Sequence, residues 1–346
     1  MIGDVLTSSI LFEALRREYP EAELHYLIFP HTRPVVENNP FIDKIIEFDP
    51  AIGKDPIKFL KFLNFIRKES YTVIIDIYSK ISSGIIAKYS GASVRIGFHK
   101  NYTRTFYTQT FNYKEKPETQ AGLAIENRMQ VLEALDINFP RELKPKLFIS
   151  AKEKEIFRKK LLKNGVNLEQ TLIMCGVLGS SSMKTYPEKY MSSILDMLIK
   201  QSPTVQILFN YLPWQKNAAR KIYMQCNSKT KSQIFFYIYE NSLKGFILNC
   251  ANCDFYFGNE GGAANIMKAL DKPTFSIHSP QIKKDYWAIY EDGKKHVSVH
   301  LEDFQPELFK QCPRRYNKKL NTAFYQKLKP ELISSKLSNF LKNLDL

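Results

Sequence analysis

The sequence predicts an α/β protein built from two successive doubly wound units. Three observations lead there. Short apolar runs alternate with helix-period stretches from Glu23 onward, and the alternation restarts at Leu172; strands alternating with helices imply parallel βαβ units. Between Asp254 and Ile277 the order is strand, glycine turn, helix, strand. The chain has 346 residues, more than a single hydrophobic core usually spans.

Taken in order, Val5, Ser9, Phe12 and Leu15 repeat as the inner face of an opening helix that Tyr19-Pro20 terminates. Glu23 to Phe29 and Phe41 to Phe48 read as strand regions. Ile57 to Lys68 is an amphipathic helix, and Tyr71 to Asp76 is a buried strand ending in an acid. Ile81 to Tyr89 is helical, Val94 to Phe98 a strand, and Ala124 to Leu135 a helix. Lys144 to Phe148 is a connection, followed by a very basic helix from Lys152 to Lys163. Leu172 to Val177 is a strand, Leu178 to Tyr186 a polar loop, and Pro187-Glu188 opens a helix that runs to Lys200. Strands at Thr204 to Phe209 and Ile234 to Tyr237 alternate with helices at Gln215 to Gln225 and Leu243 to Asn249. Phe255-Tyr256-Phe257 then forms a strand before Gly258-Asn259-Glu260-Gly261-Gly262. Ala263, Ile266, Met267 and Leu270 line one face of the next helix. Beyond Pro280 the pattern degrades until a last amphipathic helix, with Ile333, Leu337, Phe340, Leu341 and Leu344 on one face. Two facing doubly wound domains with a cleft between them are expected.

Composition narrows the function classes. With 44% hydrophobic and 25% charged residues the chain is globular rather than disordered. Its formal net charge of +15 favours anionic partners. The excess is spread along the chain, and no basic, aromatic-interleaved motif occurs, so nucleic acid is not expected. Five cysteines (Cys175, Cys226, Cys250, Cys253, Cys312) form no even framework, which suits a reducing compartment. Cys250 and Cys253 are spaced as C-x-x-C without a second pair, and they read as packing residues near a helix end. The first residues lack the basic and apolar regions of a signal peptide. No run approaches the ~20 apolar residues of a membrane span. A cytoplasmic location is expected, compatible with peripheral contact at the inner face of the membrane.

Polar groups fall where strand ends meet the expected cleft. Two adjacent glycines at a helix start let backbone N–H groups approach a ligand closely, and the helix N-terminus favours an anion. Glu260 stands at the carboxyl end of its strand, where open α/β sheets place ligands. Ser180-Ser181-Ser182-Met183-Lys184 joins hydroxyl donors to an ammonium, which is phosphate-binding chemistry. An aspartate across from it can act as a general base. Each has a plainer reading. Spacing alone favours Asp4 as an acid at a helix start, Lys184 as a solvated lysine and Asp76 as a turn cap. The six histidines show no metal-ligand spacing, and His278, after a strand, reads as a packing residue. Neither a P-loop nor a full dinucleotide fingerprint occurs.

Five segments in order resemble the heptosyltransferase-type glycosyltransferases, family nine, across nearly the whole chain. Met1-Ile2-Gly3-Asp4-Val5-Leu6-Thr7 resembles that family's opening glycine–aspartate segment. Tyr71 to Asp76 with Ser82-Ser83-Gly84 resembles its strand, aspartate and serine-bearing helix. Arg95-Ile96-Gly97-Phe98 resembles its Arg-Ile-Gly-Phe piece. Gly179 to Pro187 resembles its lysine–tryptophan–proline loop, and Gly258 to Leu270 its donor motif. The resemblance implies the GT-B fold and inverting transfer of a sugar from a nucleotide sugar, ADP-heptose-like, to a lipopolysaccharide-core or other surface-glycan acceptor, anionic and lipid-linked. By it, Asp4 is the base. Lys184, Ser181 and Ser182 hold the diphosphate, Glu260 the sugar hydroxyls, and Gly261 and Gly262 the phosphates. Asn265, where the family has histidine, is a further donor-binding residue that keeps hydrogen bonding without charge. No metal or cofactor is implied, because the protein's own charge stabilises the leaving diphosphate.

Departures cluster around the donor sugar: Glu260 stands for aspartate, Gly261 for a hydroxyl residue, Asn265 for histidine and Tyr186 for tryptophan. They motivate an alternative, a non-catalytic nucleotide-sugar-binding protein of the same fold. The expected domains are residues 1–148 on the acceptor side, 149–325 for the nucleotide sugar, and a helix at 326–346 packing back on the first domain. A doubly wound domain starts with a strand that becomes the middle of its sheet, and the resembled family carries one before the glycine–aspartate turn. Met1 is therefore expected to be an internal methionine, the natural chain being longer by about 5–6 residues or slightly more. A gap or loose contact is expected beside Val73-Ile74-Ile75 or Leu24 to Leu27.

Overall fold

The computed structural model describes residues 1–136, 143–310 and 318–346. It divides into two compact units. One is Asp4–Pro145; the other joins Met1–Gly3 to Lys146–Leu346.

The Asp4–Pro145 unit contains strands β1 (His25–Ile28), β2 (Lys44–Glu47), β3 (Val73–Asp76), β4 (Val94–Phe98) and β5 (Gln109–Phe111). Helices α1 (Ile2–Ser8), α2 (Ile10–Glu18), α3 (Pro56–Lys68), α4 (Ile81–Tyr89) and α5 (Leu123–Met129) accompany them, α1 starting in the neighbouring segment. α3 starts where Asp55 Oδ1 accepts from the N–H groups of Ile57 and Lys58 at 3.0 and 3.1 Å, with Pro56 pre-set at the first helical position. Its Phe62, Leu63 and Ile66 are buried with Ile46 and Ile86. Asp76 caps the turn after β3. Its Oδ1 accepts from Tyr78 and Ser79 N–H at 2.9 Å, and its Oδ2 from the Tyr107 hydroxyl at 2.6 Å. α5 is shorter than its apolar pattern predicts, tightening into a 3₁₀ stretch over Gln130–Leu135.

The strands of this unit form two sheets, β1-β2 and β3-β4-β5, all parallel. β1 and β3 are not hydrogen-bonded to each other, and the contacts between their regions lie at or beyond the strand ends. His25 Nδ1 lies 2.6 Å from the Tyr71 hydroxyl at one end, and the Phe29 and Tyr78 rings are 6.5 Å apart at the other. Three of the four residues in each of these strands are only half-buried.

The other unit contains β6 (Leu172–Gly176), β7 (Gln206–Phe209), β8 (Phe255–Asn259), β9 (Thr274–Ile277) and β10 (His296–Val299). Its helices are α6 (Ala151–Lys163), α7 (Glu188–Gln201), α8 (Lys216–Gln225), α9 (Ser228–Gln233), α10 (Leu243–Ala251), α11 (Gly262–Ala269), α12 (Lys284–Trp287), α13 (Glu307–Lys310), α14 (Lys318–Lys327) and α15 (Pro330–Lys342). The sheet is parallel, ordered β10-β9-β8-β6-β7, and every strand residue is buried. Such burial requires both faces to be covered. From β6 the chain moves outward to β7 and then returns to β8 on β6's other side. The order thus reverses between β6 and β8, and open sheets of this kind bind ligands at the carboxyl ends beside such a switch.

Several expectations change here. Ile234 to Tyr237 makes a single bridge, Ile207 to Ile234, rather than a strand. Phe236 turns inward onto the Tyr211 ring, 5.2 Å away, and Tyr237 turns out to solvent. The terminal helix is part of the second unit. Ile333, Leu337, Phe340 and Leu341 of α15 join the core of the second unit, with the Phe340 ring 5.5 Å from both Phe255 and Phe275. The reason is area: its apolar face covers the aromatic side chains of β8 and β9. β10 and α14 interrupt the region read as degraded. β10 escapes the period-two pattern because its polar side is buried too, His296 Nδ1 meeting Thr274 Oγ1 at 3.1 Å. Cys175, Cys226, Cys250 and Cys253 are buried free thiols, the last two at and just beyond the end of α10; Cys312 lies outside the described residues.

Candidate active site

The switch point of the second unit brings together two loops distant in sequence, residues 177–187 after β6 and residues 260–262 after β8. The first is braced from several sides. Asn259, at the end of β8, accepts from Tyr186 N–H at 2.6 Å through Oδ1 and donates to the Gly176 carbonyl at 2.9 Å through Nδ2. The Tyr256 hydroxyl donates to the Asn259 carbonyl at 2.5 Å. Thr185 Oγ1 donates to the Ser181 carbonyl and accepts from Gly179 N–H, at 2.8 and 3.1 Å. The Met183 carbonyl accepts from Ser279 Oγ and Asn321 Nδ2, both at 2.7 Å. Tyr186 itself is fully buried, its hydroxyl donating to the Leu328 carbonyl at 2.6 Å. Its place is therefore the core, as an anchor for the loop.

This bracing leaves Ser181 and Ser182 exposed and carries Lys184 to the end of a 3₁₀ turn, Ser182–Lys184. Lys184 Nζ lies 3.5 Å from Glu260 Oε1. That is ion-pair range but long for a hydrogen bond, and Glu260 Oε1 is buried without a hydrogen-bond partner. Burial pushes the Glu260 carboxyl above its ordinary range, and the Lys184 ammonium opposes the shift. The site thus presents a partly exposed cation beside a buried carboxyl group, one oxygen of which, Oε1, has no hydrogen-bond partner.

The backbone at Gly258 and Gly261 explains the glycines of this stretch. Gly258 has φ +138°, and a Cβ there would stand 2.4 Å from the Gly176 carbonyl oxygen, so only glycine lets β8 and β6 close up at the switch. Gly261 has φ +144° and precedes α11 without any side chain to cap it. The first N–H groups of a helix have no acceptor within it, so those of α11 face the loop end with the positive end of the helix dipole. Asn265 is buried in the second turn.

In the Asp4–Pro145 unit, Asp4 lies in the first turn of α1. Its Oδ1 accepts from Arg128 Nη2 at 3.0 Å. The Arg128 side chain is almost fully buried on α5. It also donates to Ser8 Oγ through Nε at 2.9 Å and to the Ala124 carbonyl through Nη1 at 2.6 Å. Next to it, Glu126 accepts from Glu118 and Thr119 N–H and from Thr119 Oγ1, ordering the preceding loop. Arg128 and Asn259 escape the reading of the sequence. The signal for Arg128 is the polar run Glu126-Asn127-Arg128 inside the otherwise apolar α5, because a buried charge needs a partner. Among the described residues, no group of three or more His, Cys, Asp or Glu is arranged to hold a metal ion, and no helix is long and apolar enough to cross a membrane.

Residues 59–317 match glycosyltransferase family 9 (heptosyltransferase). A lipopolysaccharide heptosyltransferase 1 from Campylobacter coli is 23% identical over 318 residues, covering 87% of this chain and 90% of the relative. A glycosyltransferase family 9 crystal structure from Veillonella parvula superposes with a TM-score of 0.80 at 16% identity, over 100% of this chain and 95% of the other. The E. coli ADP-heptose lipopolysaccharide heptosyltransferase II structure superposes with a TM-score of 0.72 at 16% identity, over 100% and 97%.

Proposed function

We infer that this chain, which belongs to glycosyltransferase family 9 (heptosyltransferase) and is a glycosyltransferase of the GT-B fold, transfers a heptose-like sugar with inversion. The donor is a nucleoside diphosphate sugar, ADP-heptose-like, and the acceptor is a hydroxyl of lipopolysaccharide core or another anionic, lipid-linked surface glycan. The observation that supports this reading most is the pairing of Lys184 with Glu260 at the switch point, 3.5 Å apart. A diphosphate and the sugar it carries need this combination, a cation for one and a hydrogen-bond acceptor for the other.

In this reading Asp4 takes the proton of the acceptor hydroxyl, whose oxygen forms the new bond to the anomeric carbon as the bond to the diphosphate breaks. Arg128 holds the Asp4 carboxylate in place. The diphosphate gains charge as it leaves. Lys184, the hydroxyls of Ser181 and Ser182, and the first N–H groups of α11, reached past Gly261 and Gly262, stabilise that charge. Glu260 accepts from sugar hydroxyls, and Asn265 supports the first turns of α11 beneath them. Charge supplied by the protein in this way requires no divalent ion.

A panel of nucleotide sugars, assayed for release of the nucleoside diphosphate with a lipopolysaccharide-core acceptor, tests the reading. Turnover of an ADP-linked heptose that survives EDTA is the expected result. Binding without release under any acceptor would make the chain a nucleotide-sugar-binding protein, and loss in EDTA restored by Mg²⁺ would remove the metal-free mechanism.

A further inference from the structure

α11 presents its first turns to the donor in the reading above, and its last turn holds a neighbouring segment. Lys268 Nζ donates to the Ile289 carbonyl at 2.6 Å, and burial of the ammonium pushes it down to about 8. Ile289 belongs to a strap, residues 281–291, that contains α12 and leads from β9 toward β10. A second lysine latches the same strap. Lys284 Nζ lies 3.2 Å from Glu291 Oε1 within it and 3.2 Å from Asp303 Oδ1 beyond β10. Asp303 is fixed in turn by Lys336 of α15 at 2.8 Å. Near the strap's end Tyr290 has φ +53°, a strained conformation for a bulky side chain. Of the strap's apolar side chains only Ile289 and Tyr290 are fully buried.

The sheet face beside these latches is polar. Phe275, Ile277, Val297 and Val299 point into the apolar core. Alternation then leaves Thr274 and Ser276 of β9 level with His296 and Ser298 of β10 on the other face. His278 and His300 continue the two rows just past the strand ends, and all six residues are buried. Lys268 and Lys284 both bear on His278, disfavouring its charged form. Four of the six have a buried polar atom without a hydrogen-bond partner: Ser276 Oγ, His278 Nδ1, Ser298 Oγ and His300 Nε2. Glu291 Oε2, on the strap, is a fifth. His300 Nδ1 accepts from Glu302 N–H at 3.2 Å, so Nε2 carries the proton and is a donor. Buried groups of this kind are satisfied by ordered water. A strap that rests on water-bridged polar groups and is latched by two lysines opens more readily than one sealed by apolar contact.

The strap also reaches the donor end of α11. A Cβ at Gly3, which belongs to the same unit, would stand 2.9 Å from Asn265 Nδ2 and 3.8 Å from Trp287 Cζ3. The indole and the amide thus flank one point of the backbone.

We propose that residues 281–291 are a lid that lifts from the polar face of β9 and β10 as one piece and, when shut, lays the Trp287 indole against the sugar of the bound donor. A sugar ring offers C–H groups to an aromatic face, whose negative quadrupole attracts them. The proposal rests on the reading of α11 as the donor site.

Hydrogen exchange of the whole protein tests it, together with fluorescence of Trp287 in a Trp214→Phe background. Trp214 and Trp287 are the two tryptophans, and Trp214 is 77% exposed. Amides of residues 281–291 should exchange together and faster than those of β6 and β8. Saturating ADP-glucose should slow them more than ADP does and shield Trp287 from acrylamide. Lys268→Met and Lys284→Met should each speed exchange of the strap about tenfold, the effect of losing a charge-assisted hydrogen bond, with β6 and β8 unchanged. Strap amides no faster than those of β6 and β8 overturn the lid, as do latch variants that leave the strap unchanged. So does ADP-glucose that calorimetry shows bound without effect on strap or indole. Failure of the functional reading shows separately, as absence of binding of either ligand and of diphosphate release from any nucleotide sugar, while the strap still opens locally and answers to its latches.

Discussion

Arg128 Nη2 donates to Asp4 Oδ1 at 3.0 Å, across 124 positions of sequence. The guanidinium is nearly buried and also donates to Ser8 Oγ and the Ala124 carbonyl, so it cannot swing away with the carboxylate. Asp4 is thereby held in one orientation by α5 rather than by its own helix. Asp4→Asn keeps that geometry, and with the proposed base removed turnover should fall by roughly 10²–10⁴-fold. Donor affinity by calorimetry should stay nearly constant; its loss together with activity would make Asp4 a binding residue. Arg128→Met should cost on the order of 1–3 kcal/mol, because buried acceptors lose their donors, and should lower turnover as well. Chemical denaturation and initial rates check both.

Lys184→Met should weaken binding of the nucleoside diphosphate more than that of the nucleoside, since the ammonium is assigned to phosphate oxygens. Equal weakening would take Lys184 out of the phosphate site. The same substitution leaves burial unopposed at Glu260, whose carboxyl already sits above its ordinary range. Its titration, followed by carboxyl NMR, should move further up.

Asn259 secures the loop after β6 through Tyr186 N–H and the Gly176 carbonyl. Asn259→Leu strands both groups in a buried place, at about 1–3 kcal/mol for each unsatisfied partner. Stability and diphosphate affinity should fall together. A variant that lost stability and kept affinity would show that the loop holds its shape without this staple.

Burial lowers the imidazoles of His278 and His300 below their ordinary value, and both are neutral in the folded state near neutrality. In the unfolded chain each takes up a proton below about pH 6.5. The unfolded state therefore binds more protons than the folded one as pH falls through that value, and stability drops on the acid side. Thermal unfolding between neutral and mildly acidic pH should show a falling midpoint. His278→Gln should flatten the fall; an unchanged slope would place its origin elsewhere.

The two sheets of the Asp4–Pro145 unit make a further prediction. β1 and β3 each leave one edge unpaired and are mostly half-buried, whereas β6 to β10 are buried throughout. Opening should cost least where few buried contacts and backbone bonds hold a strand. Amides of β1 and β3 should exchange with deuterium faster than those of β6 and β8. Equal protection would mean that the edges are covered.

What the sequence determined by itself was local. β4 and α4 lie where their apolar periods put them, and α3 starts with Asp55-Pro56 one residue before the predicted boundary, because burial of one face and capping are written in consecutive residues. The Glu260-Gly261-Gly262 turn was legible for the same reason. The order of strands was not. Placing β6 beside β8 sets Lys184 against Glu260 and Asn259 against Tyr186, 73 positions away, and no local period encodes a neighbour that far off. Arg128 looked like one more basic residue until folding buried it and made Asp4 its partner. The covering of β8 and β9 by α15, and the buried polar side of β10, likewise depended on which apolar surface remained open once the sheet had assembled. Only the packed chain decides that.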